Sequence, residues 1–140
     1  MIENQTILIV NFSHPLTPEQ VAEIGRLAGM GAEDVRNVPA QFDDALPFGP
    51  QAEELTVRAG VASAEWQTRP VLVILPGHSA IGAALLAILH GRLGHFPAVA
   101  RLARVSGPVT RFAVAEIVNL QELREDSRRR RADVAPPASS

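Results

Sequence analysis

Val71-Leu72-Val73-Ile74-Leu75 runs directly into Pro76-Gly77-His78-Ser79, and this stretch decides the fold. Five apolar residues without a polar interruption, three of them β-branched, predict a strand covered on both faces, as central parallel strands are. Ser79 has the side chain of an N-cap, and Ile81, Leu85, Ile88 and Leu89 follow at helical spacing. The expectation is a strand, a tight turn capped by Ser79, and a long helix from Ala80 to about Arg92. A second strand, residues 6–12, is read from Thr6-Ile7-Leu8-Ile9-Val10, and its end carries Asn11-Phe12-Ser13-His14-Pro15. In open α/β sheets ligands bind in the crevice outside the carboxyl ends of the strands, so two polar strand ends mark the place to look for function.

Working outward, Thr17-Pro18-Glu19-Gln20 predicts a helix start, with Thr17 as N-cap, Pro18 at the first position and Gln20 completing a capping box. That helix places Val21, Ile24 and Leu27 on one face and stops near Gly29. Asp34 to Val38 reads as a short strand closed by Pro39, and the proline-rich residues 39–50 as a loop. A helix is expected from Gln51 to about Ala62, with Leu55 and Val61 inward. Ala98 to Val105 and Val109 to Val118 read as an antiparallel pair about the turn Ser106-Gly107-Pro108. A last helix starts near Leu120 and runs into Arg128-Arg129-Arg130-Arg131. The order predicts a small α/β, Rossmann-like domain with a mostly parallel sheet, helices on both faces and a C-terminal antiparallel pair. It occupies residues 1–124, and the Arg-rich segment 125–140 is expected to be a disordered tail.

Composition narrows the chemistry. The chain has 140 residues, no Cys, no Lys, thirteen Arg and a net charge of −2. Disulfides, thiolate nucleophiles, Cys-ligated zinc, Schiff bases and a Walker-type lysine are thereby excluded. The charge gives no general attraction to duplex DNA. No apolar run reaches the roughly 20 residues a membrane-spanning helix needs, and no basic lead precedes the first apolar stretch, so a cytoplasmic protein without a membrane partner is expected. G-x-G-x-x-G after the first strand, the P-loop, H-E-x-x-H and G-x-S-x-G are all missing. No cofactor and no metal site is expected.

The residues that remain suit a small anion. Asn11, Ser13 and His14 can donate to a phosphate or a base from the first strand end, although Asn and Ser also close turns by bonding their own backbone. Gly77, His78 and Ser79 present a helix N-terminus where negative charge is favoured. In His90-Gly91-Arg92-Leu93-Gly94-His95-Phe96-Pro97, Arg92 and His95 offer a cation and an imidazole, against a plain reading as helix-end caps. Trp66 reads as a core anchor before a base-stacking platform. Ser13 or Ser79 with a His and Asp43 or Asp44 makes no supported triad, since no G-x-S-x-G elbow is present. The Arg128–Arg131 block reads as a solvated charge run before an RNA grip.

Four of these segments, Asn11 to Thr17, Trp66-Gln67-Thr68, Leu75 to Ser79 and His90 to Pro97, together resemble the small CRISPR-associated proteins of the Csx-fifteen family, stand-alone relatives of the CARF domain. The resemblance covers the chain to about residue 124. It implies a CARF-like Rossmann domain that pairs as a homodimer or larger assembly in type III CRISPR antiviral signalling. The implied ligand is a cyclic oligoadenylate second messenger, first of all cyclic tetra-adenylate. The expectation is a sponge that sequesters this messenger through Asn11, Ser13, His14, Gly77, His78, Ser79, Arg92 and His95. The alternatives are a metal-independent ring nuclease, with His14, His78 and Arg92 as catalytic candidates, and a scaffold that binds only protein.

Overall fold

The computed structural model describes residues 5–133. Its elements are β1 (Thr6–Asn11), α1 (Pro18–Ala28), β2 (Gly31–Asn37), α2 (Phe48–Arg58), α3 (Ser63–Thr68), β3 (Val71–Ile74), α4 (Ser79–Leu93), β4 (Ala98–Val105), β5 (Arg111–Asn119) and α5 (Leu120–Asp133). The chain is α/β, with one five-stranded sheet in the order β2-β1-β3-β4-β5. The first four strands are parallel and β5 is antiparallel to β4. Among the described residues no helix is long and apolar enough to cross a membrane.

The two faces of the sheet are covered by different helices because alternate residues of β1 and β3 point opposite ways. Leu8, Val10, Val71 and Val73 pack with Ala52 and Leu55 of α2, Trp66 of α3, and Ile81, Leu85 and Leu89 of α4. Ile7, Ile9, Leu72 and Ile74 pack on the other face with Ile24 of α1 and with Ala100 and Val114 of the last two strands. Trp66 is 1% exposed, which makes it a core anchor. The helix after β1 thus lies on one face and those after β2 and β3 on the other, so the topological switch falls between β1 and β3.

α1 starts as its sequence predicts. Gln20 N–H donates to Thr17 Oγ1 and Thr17 N–H to Gln20 Oε1, while Gly29 closes the helix at φ 68°. Several expectations need correction. Leu27 is 41% exposed, because α1 covers the sheet mainly through Ile24. β2 begins three residues early, where Gly31 pairs beside Thr6. The helix expected to reach Ala62 ends at Arg58, since Gly60 turns the chain at φ 65° and α3 begins separately. The boundary expected at residues 124/125 falls inside α5, so Arg128–Arg131 lie on a helix. The expected disorder of the Ala-Pro-Ser-rich end lies outside the described residues.

Candidate functional site

β3 is short and β4 is long, and this mismatch makes the site. The β3–β4 ladder consists of Leu72 beside Ala98 and Val73 beside Val99, after which β3 ends at Ile74. β4 continues through Val105, paired only with β5. Ala100 lies level with Ile74, so the five residues Arg101 to Val105 overhang the carboxyl ends of β1 and β3 by about 16 Å at the usual rise per residue. The overhanging ribbon leans toward α1, where Gln20 Nε2 donates to the Phe112 carbonyl at 2.9 Å.

Beneath the overhang lies a crevice of about 710 Å³, at the switch point between β1 and β3. Ser13, His14, Thr17 and Gln20 form one wall, and Arg101, Arg111 and Phe112 belong to the opposing ribbon. Ile74, Leu75, Leu86, Val99, Leu102 and Leu120 supply its apolar surface. Arg101 is paired with Glu116 across the ribbon at 2.8 Å. Arg111 forms no ion pair among the described residues and is exposed beside Phe112. The volume lies in the range of sites for one small organic ligand.

Asn11 builds the first wall without offering itself to a ligand. It is fully buried, with Nδ2 donating to the His14 carbonyl at 2.8 Å and to Asn37 Oδ1 at 3.0 Å, while Oδ1 accepts from Ser13 N–H at 2.9 Å. Its expected ligand role is thereby corrected. Both donors and an acceptor lone pair are spent on shaping the turn that exposes Ser13 and His14.

The second strand end is arranged differently from expectation. His78, not Ser79, is the N-cap of α4: His78 is extended at φ −120°, and its Nδ1 accepts from Ile81 N–H at 3.5 Å. Two aromatic rings orient that imidazole edge-to-face, Phe42 at 5.2 Å and Phe48 at 5.0 Å between centroids. Ser79 becomes the first helical residue, and its hydroxyl is not needed for the cap. Gly77, His78 and Ser79 do not line the crevice beneath the ribbon, so the two polar strand ends do not converge on one cavity.

Arg92 and His95 lie still further away. Arg92 is at the far end of α4, roughly 20 Å along the helix from His78 at 1.5 Å per residue, and is paired with Glu53 of α2. His95 is exposed beyond Gly94, which terminates α4 at φ 84°. His90 meets the Phe96 ring edge-to-face at 4.4 Å between centroids. In one copy of the chain neither Arg92 nor His95 can reach a ligand held by His14. Among the described residues no group of three or more His, Asp or Glu side chains is placed to hold a metal.

Reading the sequence by strand ends missed the ribbon wall. Arg111 and Phe112 read only as the start of a strand, and although the run 98–105 is longer than the run 71–75, nothing in the sequence signals the register that sets its extra length beyond the carboxyl end of β3. No family model, curated protein or solved structure matches the chain.

Proposed function

We propose that the chain binds a cyclic oligoadenylate, first of all cyclic tetra-adenylate, and lowers the free level of this messenger by holding it. The crevice beneath the β4–β5 ribbon carries the reading. It lies at the switch point of a doubly wound sheet, where phosphate-bearing ligands are usually bound. Its rim offers hydroxyl, imidazole and guanidinium groups (Ser13, His14, Thr17, Arg111) to phosphates, and its apolar surface suits bases. The class of ligand comes from the resemblance of the four sequence segments, which also sets the cytoplasmic, type III CRISPR context.

About 710 Å³ holds one or two nucleotides and not a ring of four, so two copies of the chain share the ring as a homodimer or larger assembly. Metal-independent cleavage requires an aligned 2′-hydroxyl and a group that carries its proton. Of the three catalytic candidates, only His14 is on the crevice wall, while His78 is engaged as a cap and Arg92 is paired elsewhere. That separation favours sequestration over turnover.

The test is purified protein incubated with cyclic tetra-adenylate in EDTA, following complex formation and ring opening together. Binding with the ring intact is expected. Arg111→Ala and His14→Ala should each weaken it by about tenfold or more, as loss of a charge-assisted hydrogen bond does. Linear products beyond one equivalent per site would replace the sponge by a ring nuclease. Failure to bind rings of any size would leave the scaffold reading.

A further inference from the structure

The C-terminal helix carries a cationic surface, separate from the crevice. Residues 124–131 hold five arginines against two acids, which leaves +3 there and −5 over the rest of a chain whose total is −2. The helix sorts this charge. At 100° per residue, Arg124, Arg128 and Arg131 fall within an arc of about 60°; Glu122 and Asp126 lie on the opposite side, and Glu125 flanks the arc, in a neighbouring groove with Arg124, Arg128 and Arg129. Arg124, Arg128 and Arg131 wall a common shallow groove with Ser127. All three are exposed, and none forms an ion pair among the described residues. Arg129, outside the arc, is paired with Asp126. Arg130 also projects away from the stripe.

We propose that this stripe is a contact surface for the phosphate backbone of single-stranded RNA. Three guanidiniums rise along one line over about 10 Å, which suits consecutive phosphates of a flexible strand and not a single compact anion. The stripe has no apolar centre: Leu123, the exposed apolar residue of this helix, faces away from it. Protein interfaces draw their affinity from such a centre, whereas nucleic-acid backbones are held by charge alone. The chain's overall −2 is no obstacle, because counterion release is set by the cations that touch phosphate.

The crevice lining ends at Leu120, before the first of these arginines, so the two surfaces are distinct. This inference stands independently of what the crevice binds.

The experiment is fluorescence anisotropy of a labelled 12-nucleotide oligouridylate with the full chain, titrated from 20 to 200 mM salt. Three phosphate contacts predict a slope of log K against log salt of about −2, from roughly 0.7 per contact on single strands. Arg124→Gln, Arg128→Gln and Arg131→Gln should each flatten the slope by about 0.7, while Arg130→Gln leaves it within error. Far-UV circular dichroism of each variant verifies the helix, and the slope of the unmodified chain is a test that needs no variant. No binding at 20 mM salt would overturn the proposal. So would equal losses from Arg130→Gln and Arg128→Gln, which would reduce the stripe to unorganised charge. Tighter binding of a poly-glutamate peptide than of RNA would assign the surface to an acidic protein. Displacement of the RNA by cyclic tetra-adenylate would collapse the two surfaces into one.

Discussion

Asn11 is where the sequence reading and the structure diverge most sharply over a single side chain. Its place at the carboxyl end of β1 was legible, since the apolar run of β1 stops there. What the side chain does was not, because its partners include Asn37, 26 residues away, and the carbonyl of His14. A buried amide with three satisfied hydrogen bonds is a positioning group. Asn11→Ala is expected to destabilise the fold by about 2–3 kcal/mol in urea denaturation, since His14 O and Asn37 lose a buried partner. Under the proposed function it should also weaken oligoadenylate binding more than Ser13→Ala does, because the turn that presents both Ser13 and His14 loses its brace. Equal effects of the two substitutions on binding would contradict this role.

At the scale of elements, α1 and α4 start by different rules. α1 is capped by a local sequence pattern, Thr17 with Gln20, so its start can be read from four residues. α4 has a serine in a suitable place and does not use it. The helix begins one residue earlier because Phe42 and Phe48, brought in by the β2–α2 connection and α2, fix the His78 ring over the helix mouth. Ser79→Ala should therefore change stability by less than about 0.5 kcal/mol, as an exposed substitution away from a cap does. His78→Ala should cost about 1–2 kcal/mol through the lost cap and ring contacts. Thermal or urea unfolding of the two variants checks this, and a larger cost for Ser79→Ala would restore Ser79 as the cap.

At the scale of the whole molecule, a four-membered ion network ties together β2, α3 and Arg69, the residue that caps the end of α3. Arg36 reaches Asp34 at 3.0 Å and Glu65 at 3.2 Å, and Arg69 reaches Asp34 at 2.5 Å, Glu65 at 3.3 Å and the Thr6 carbonyl at 3.1 Å. Hydrogen bonds from Arg36 first and Arg69 second hold the Asp34 carboxyl below its ordinary range, and the Ala62 N–H followed by the arginines does so for Glu65. A carboxylate whose folded pKa is depressed stabilises the fold above its unfolded value of about 4. That contribution is lost as pH falls through the folded value. Urea midpoints should therefore drop between pH 5 and pH 3, and Asp34→Asn should flatten that dependence while lowering stability at pH 7. An unchanged pH profile in this variant would remove Asp34 from the network's energetics. By itself the sequence determined the α/β class, the strands around the switch point, the α1 cap and the antiparallel ending, because these follow from periodicity and nearest-neighbour chemistry. Only the tertiary structure decided how β4 is set against β3 so that its end roofs a crevice, that Arg111 and His14 line that crevice together, and that Arg92 and His95 lie elsewhere. Strand register and the partners of buried polar groups are set by contacts between residues distant in the chain, and a linear pattern does not encode which of them meet.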